Sequence, residues 1–118
     1  MSEIQAAGGT AAALKADCLS ADSPAAVIQE TIKRFDGGID IIVNNAGCGD
    51  DYLVEDIDIE KYDKLFITNL RFPLFLVKES LPYIREGGRI VNLSSILART
   101  GEARHCWQSA RHQCLTPW

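Results

Sequence analysis

Polar side chains gather at the downstream ends of short apolar runs in this chain. Asp17 closes "TAAALKAD", Asn44 and Asn45 lead into Ala46 and Gly47 after "IDIIV", and Ser94 and Ser95 close "RIVNLSS". These residue types suit a ligand held at close range. A carboxylate accepts from an adenine amino group or a ribose hydroxyl, amides both donate and accept, and small residues let the backbone approach. Taken singly, Asn-Asn-Ala-Gly reads equally well as a turn, and two serines as a loop or helix cap. Their recurrence at successive strand ends points to a ligand, because ligands of open parallel sheets lie beyond the carboxyl ends of the strands.

The elements that must position these groups follow from periodicity. Residues 10–19 read as a short strand, with alanines that suit a helix equally well. Ser23 offers an N-cap oxygen and Pro24 suits a first helical turn, which predicts a helix to about Phe35. Ile28, Ile32 and Phe35 form its apolar stripe, and Gly37-Gly38 ends it. Residues 39–44 are β-branched and apolar after Asp40, a pattern expected of a strand covered on both faces. An acidic loop over 48–57 leads into a long helical pattern over 58–85, interrupted by Pro73 and stopped by Gly87-Gly88, and then into a strand over 89–95. The order β-α-β-α-β predicts an α/β fold with a parallel sheet and right-handed crossovers.

Composition narrows the function classes. The 118 residues, 47% apolar and 24% charged, suit one globular domain, and a formal charge of -4 argues against nucleic acid as a partner. Apolar runs such as residues 73–77 fall far short of the ~20 residues of a membrane span, and the start has no basic or apolar leader pattern. A cytoplasmic location is therefore expected. The four cysteines, Cys18, Cys48, Cys106 and Cys114, read as free thiols. His105, Cys106, His112 and Cys114 match no usual zinc spacing, and Asp50, Asp51, Glu55, Asp56, Asp58, Glu60 and Asp63 read as solvated acids ahead of a helix N-terminus, so no metal site is expected. Cys48 has no histidine near it in sequence and reads as an inert thiol.

"DIIVNNAG", "ITNLRFPLF" and "GGRIVNLSSI", in this order and spacing, resemble the middle of a short-chain dehydrogenase/reductase, from about Ile4 to Gly101. The resemblance implies a partial Rossmann-like sheet, NAD or NADP as cofactor, and a small carbonyl or secondary alcohol as substrate. Asp17 would meet the adenine amino group, and Asn44, Ala46 and Gly47 would form the turn beside the adenosine ribose. Asn69 would hold a water of the proton relay, and Ser95 would orient the substrate carbonyl.

Against that family the chain lacks the first two strands with their Gly-x-x-x-Gly-x-Gly turn, and it lacks the Tyr-x-x-x-Lys pair. Its last tyrosine is Tyr83, and Trp107 or Gln108 with Arg111 or His112 stand where the pair belongs. Neither an indole nor an amide can serve as the acid or base. The expectation is therefore a truncated, catalytically inactive piece, residues 1–103, followed by an aberrant tail over 104–118 that a shifted reading frame or splice would explain. Open strand edges lead to an expectation of self-association or docking to a full-length relative. The alternative class is a non-catalytic interaction module that docks through the helix over 58–85. The plainer reading of that helix is that its stripe covers its own sheet.

Overall fold

The computed structural model describes residues 1–49 and 52–95. A single turn of helix, α1 (Ser2–Ala6), precedes α2 (Ser23–Arg34), β1 (Ile39–Asn44), α3 (Ile59–Phe66), α4 (Phe72–Ser80) and β2 (Ile84–Asn92). β1 and β2 lie side by side and parallel, so the expected α/β class and the parallel pairing are both present. The tail over 104–118 lies outside the described residues, as do His105, Cys106, His112, Cys114, Trp107, Gln108 and Arg111.

The first expected strand, over residues 10–19, does not form. Residues 10–19 run mostly exposed and outside any ladder, ending in a turn where the Ser20 N–H donates to the Asp17 carbonyl at 3.2 Å. Alanine is a poor strand former, and in the doubly wound order the neighbour of this segment would be a strand that the sequence does not contain. An extended segment without a ladder partner has nowhere to place its backbone hydrogen bonds except water.

Coverage of β1 also departs from expectation. Ile39 and Ile42 pack with Ile28 of α2, and Ile32, Leu76, Tyr83 and Ile84 close around them. Ile41 and Val43 instead remain 61% and 55% exposed. The strand is thus covered on one face only, because α2 and α4 pack against each other on the same side of the sheet. Val91, paired with Val43, extends the bare face on β2.

Helix ends follow local chemistry with small shifts. Ser23 is the first residue of α2 rather than its cap. That position falls to Asp22, whose side chain makes no capping bond, and Pro24 sits in the first turn as expected. The pattern over 58–85 resolves into α3, a π turn over Ile67–Arg71, α4 and a short 3-10 turn over Leu81–Tyr83. Pro73 lies in the first turn of α4 directly behind the π turn, so the helix absorbs the missing N–H by widening there. Gly87-Gly88 does not end the helix. The pair lies inside β2, where Ile39 pairs with Ile84 but Ile41 pairs with Arg89, so residues 85–88 loop out. Gly87 adopts φ +79°, and a Cβ on Gly88 would stand 2.5 Å from Ile84 Cγ2, which is why the loop takes two glycines.

The start of α3 gives a pH prediction. Asp58 caps the helix by accepting from the Lys61 N–H at 2.8 Å. That bond, followed by the contact with the Lys61 ammonium, holds the Asp58 carboxyl below its ordinary value. A depressed folded-state pKa supplies stability that is present above the unfolded value and lost as pH falls through the folded one. Asp58→Asn, which keeps a capping oxygen without the charge, is expected to flatten the acid side of the helix-content profile followed by circular dichroism. An unchanged profile would exclude Asp58 as a contributor.

Candidate functional site

The parallel register brings the two strand tips together. Asn44 pairs with Asn92, the Asn44 Nδ2 donates to the Asn92 Oδ1 at 2.8 Å, and the Leu93 N–H donates to the Asn44 carbonyl at 3.1 Å. Asn45 turns the chain by donating its N–H to the Val43 carbonyl at 3.1 Å, and Ala46 and Gly47 follow as exposed backbone. Ser94 and Ser95 continue from the neighbouring tip, Ser95 half-buried. The amides that end the first run therefore bond to the matching amide of the next strand, and sequence reasoning passed over Asn92. Its signal was available: an asparagine at the same place in "IIVN" and "RIVN".

Asn69 sits on the π turn, 5% exposed. Its Oδ1 accepts from the Cys48 N–H at 2.9 Å, and its Nδ2 donates to the Cys48 carbonyl at 2.8 Å. An amide bonded to both backbone groups of one residue acts like one rung of a sheet, and here it fixes the loop after Gly47 to the helix. The side chain of Asn69 is thus engaged in positioning. Its backbone carbonyl stands opposite Pro73, which has no N–H to offer one helical turn on.

Asp17 is held in a local turn, its Oδ1 accepting from the Leu19 N–H at 2.9 Å. The Arg71 guanidinium, two residues beyond Asn69, donates to the Leu19 carbonyl at 2.8 Å. One π turn therefore anchors both the Asp17 turn and the Asn-Asn-Ala-Gly loop, and neither Arg71 nor the Cys48 contact was singled out from sequence as part of the site. Burial, and then the Asp17 carboxylate, push the Cys18 thiol up. Cys18 is a free thiol. A cleft of about 290 Å³ opens between the loop and α3, lined by Cys48, Tyr52, Ile57, Lys61, Tyr62 and Leu65 among others. It lies at the lower limit for a small-molecule site. Among the described residues no three His, Cys, Asp or Glu side chains cluster to hold a metal, and no helix is long and apolar enough to cross a membrane.

Comparison with known proteins defines the class and then the family. The profile of the family described as short chain dehydrogenase matches residues 1–110. The chain is 41% identical over 99 residues to the short-chain dehydrogenase/reductase FrzI of a Cladobotryum species, covering 84% of this chain and 38% of that protein. It is 33% identical over 102 residues to the hydroxynaphthalene reductase arp2 of Aspergillus fumigatus, covering 86% and 37%. Among solved structures, a short-chain dehydrogenase from Burkholderia cenocepacia in complex with NADP superposes with a TM-score of 0.90 at 30% identity, covering 97% of this chain and 46% of that one. An NADH-dependent reductase responsible for alginate metabolism gives 0.87 at 28%, covering 97% and 50%. The fold is thus a partial Rossmann-like α/β unit of the oxidoreductase class. The chain belongs to the short-chain dehydrogenase/reductase family. It spans 38% of the length of the curated relative FrzI.

Against a nicotinamide dinucleotide, the polar groups on offer are the bonded strand-tip amides Asn44 and Asn92 and the exposed backbone of Ala46 and Gly47. A pyrophosphate requires glycines with exposed N–H groups at a helix N-terminus below a strand. The glycines of positive φ are Gly8, Gly37 and Gly87, which follow α1, follow α2, and lie in the looped-out part of β2. None stands at the carboxyl end of a strand that leads into a helix. The described residues therefore do not form a grip for the whole cofactor.

Proposed function

We propose that this chain carries the central part of an NAD(P)-dependent oxidoreductase site for a small carbonyl or secondary alcohol, and that by itself it does not transfer hydride. Asp17, Asn44, Ala46 and Gly47 form the adenosine side. Asn69 offers its carbonyl to a relay water, and Ser95 orients the reacting oxygen. The observation that carries this reading is the double hydrogen bond between Asn69 and Cys48, which sets the Asn-Asn-Ala-Gly turn against the helix at 2.9 and 2.8 Å. Inactivity is supported by Trp107 and Gln108, which stand where the family places its tyrosine and, as an indole and an amide, cannot exchange the proton that must accompany hydride.

Titration with NADH and NADPH, followed by nicotinamide fluorescence and by absorbance with a panel of ketones, tests both halves. We expect no consumption of reduced cofactor above the protein-free rate, together with saturable binding of ADP-ribose that Asn44→Ala weakens. Turnover abolished by Ser95→Ala would overturn the claim of inactivity, and absence of any nucleotide binding would overturn the site.

A second reading has its own observation. Along the helical stretch from α3 to α4, Ile59, Tyr62, Leu74, Phe75 and Leu81 are exposed, Ile59 at 76%, so much of its apolar surface does not cover the sheet. A docking module for a full-length relative, or self-association, would use that surface. Co-purification with such a relative, with no nucleotide bound, is the result that would favour it.

A further inference from the structure

The turn that carries Asp17 has no ladder to hold it. Residues 10–17 belong to no helix or strand, and Asp17 is exposed at their end. Two local bonds close the turn, the Asp17 Oδ1 accepting from the Leu19 N–H at 2.9 Å and the Asp17 carbonyl accepting from the Ser20 N–H at 3.2 Å. A third bond comes from far along the chain, where the Arg71 Nη2 donates to the Leu19 carbonyl at 2.8 Å. Leu19 thus carries both kinds of contact. Its N–H bonds the carboxylate and its carbonyl is held by the π turn, and these two groups lie on peptide planes that meet at one Cα, with only two soft dihedrals between them. Arg71 is half-buried and lines a hollow with Cys18, Pro24, Phe72 and Phe75, which limits where its guanidinium can reach. The second oxygen of Asp17, Oδ2, accepts from no donor among the described residues.

We propose that Arg71 is a positioning residue that sets base specificity at the adenosine side. By fixing Leu19 it aims the Asp17 carboxylate at the base, where that carboxylate accepts from the amino group of a 6-aminopurine and repels the oxygen of a 6-oxopurine. This role rests on the reading of Asp17 as the adenosine-side carboxylate. A carboxylate only accepts, adenine presents a donor at its 6 position, and hypoxanthine presents an acceptor at the same place. Discrimination of that kind needs direction as well as charge, because a hydrogen bond weakens steeply once it bends. Without the guanidinium the turn still closes through its own two bonds, but it pivots on the ladderless segment before it, and the carboxylate loses its fixed direction. A lysine in place of Arg71 can supply the single N–H that the Leu19 carbonyl needs. A methionine keeps an unbranched apolar stem and supplies none.

The test measures binding of ADP-ribose and of its hypoxanthine counterpart, inosine diphosphate ribose, by calorimetry, on the full chain and on Arg71→Met and Arg71→Lys. The unsubstituted chain is expected to favour ADP-ribose about tenfold, the worth of one good hydrogen bond. Arg71→Met should bring that ratio to within about twofold by weakening ADP-ribose alone, and Arg71→Lys should restore most of it. Hydrogen exchange at the Leu19 amide, which reports the bond to Asp17, should speed up in Arg71→Met. A ratio or a Leu19 exchange rate unchanged in Arg71→Met overturns the proposal, as does equal weakening of both ligands, the result that loss of a merely structural contact would give. If the unsubstituted chain binds neither nucleotide, the adenosine reading of Asp17 fails and takes this role with it. Binding of both with a ratio indifferent to Arg71 sinks the role of Arg71 alone.

Discussion

Ile28→Ala is expected to remove cooperative unfolding or to lower its urea midpoint severely. Ile28 is 4% exposed and is the side chain of α2 that meets Ile39 and Ile42. Truncating a buried isoleucine costs about 2–5 kcal/mol, from lost transfer energy plus the cavity left behind. Domains are stable by only about 5–15 kcal/mol in total, and a core built from so few buried side chains belongs at the low end. Ile41→Ala is the matched control. It shortens the same residue type on the bare face, where a change within about 0.5 kcal/mol is expected. Urea titrations followed by far-ultraviolet circular dichroism read both. If Ile41→Ala costs as much as Ile28→Ala, then another chain or segment covers the bare face in solution.

Asn69→Leu is the second large effect. The side chain keeps its size while the Cys48 N–H and C=O lose their partners, and leaving two half-buried backbone groups unmet costs about 2 kcal/mol or more. The cost should fall first on the loop, so hydrogen exchange at Cys48 should accelerate before the global midpoint moves. Asn69→Asp separates the two bonds. Its carboxylate can still accept from the Cys48 N–H but faces the Cys48 carbonyl with a second acceptor, which favours the protonated form. A folded-state pKa raised in this way makes the variant more stable as pH falls, opposite in sign to the behaviour ascribed to Asp58. Unchanged Cys48 exchange in Asn69→Leu would show that the clamp does not hold the loop.

Much of the fold was legible because local rules sufficed. Residues 39–44 are strand in the sequence pattern and strand in the structure, since β-branched side chains and the flanking Gly37-Gly38 leave little alternative. α2 likewise lies within one residue of its expected end, the Pro24 turn and the Ile28–Ile32 stripe agreeing with each other. Asn44, Ala46, Gly47 and Asn69 were singled out as candidates from motif alone. Their contacts were not, because Asn69 and Cys48 are far apart in sequence and no local spacing predicts that an amide on a helix will close on a loop backbone.

Failures came where pairing decides. Residues 10–19 carry a strand-like pattern, but a strand exists only with a ladder beside it. Gly87-Gly88 looked like a helix stop, and register with β1 made it a looped-out stretch within a strand. Sequence by itself determined the family, the helix over 23–34 and the strand over 39–44 with Asn44 at its tip, because these depend on side-chain period and identity. The tertiary structure alone decided which face of β1 is covered and that one π turn anchors both loops, because those outcomes rest on non-local contacts.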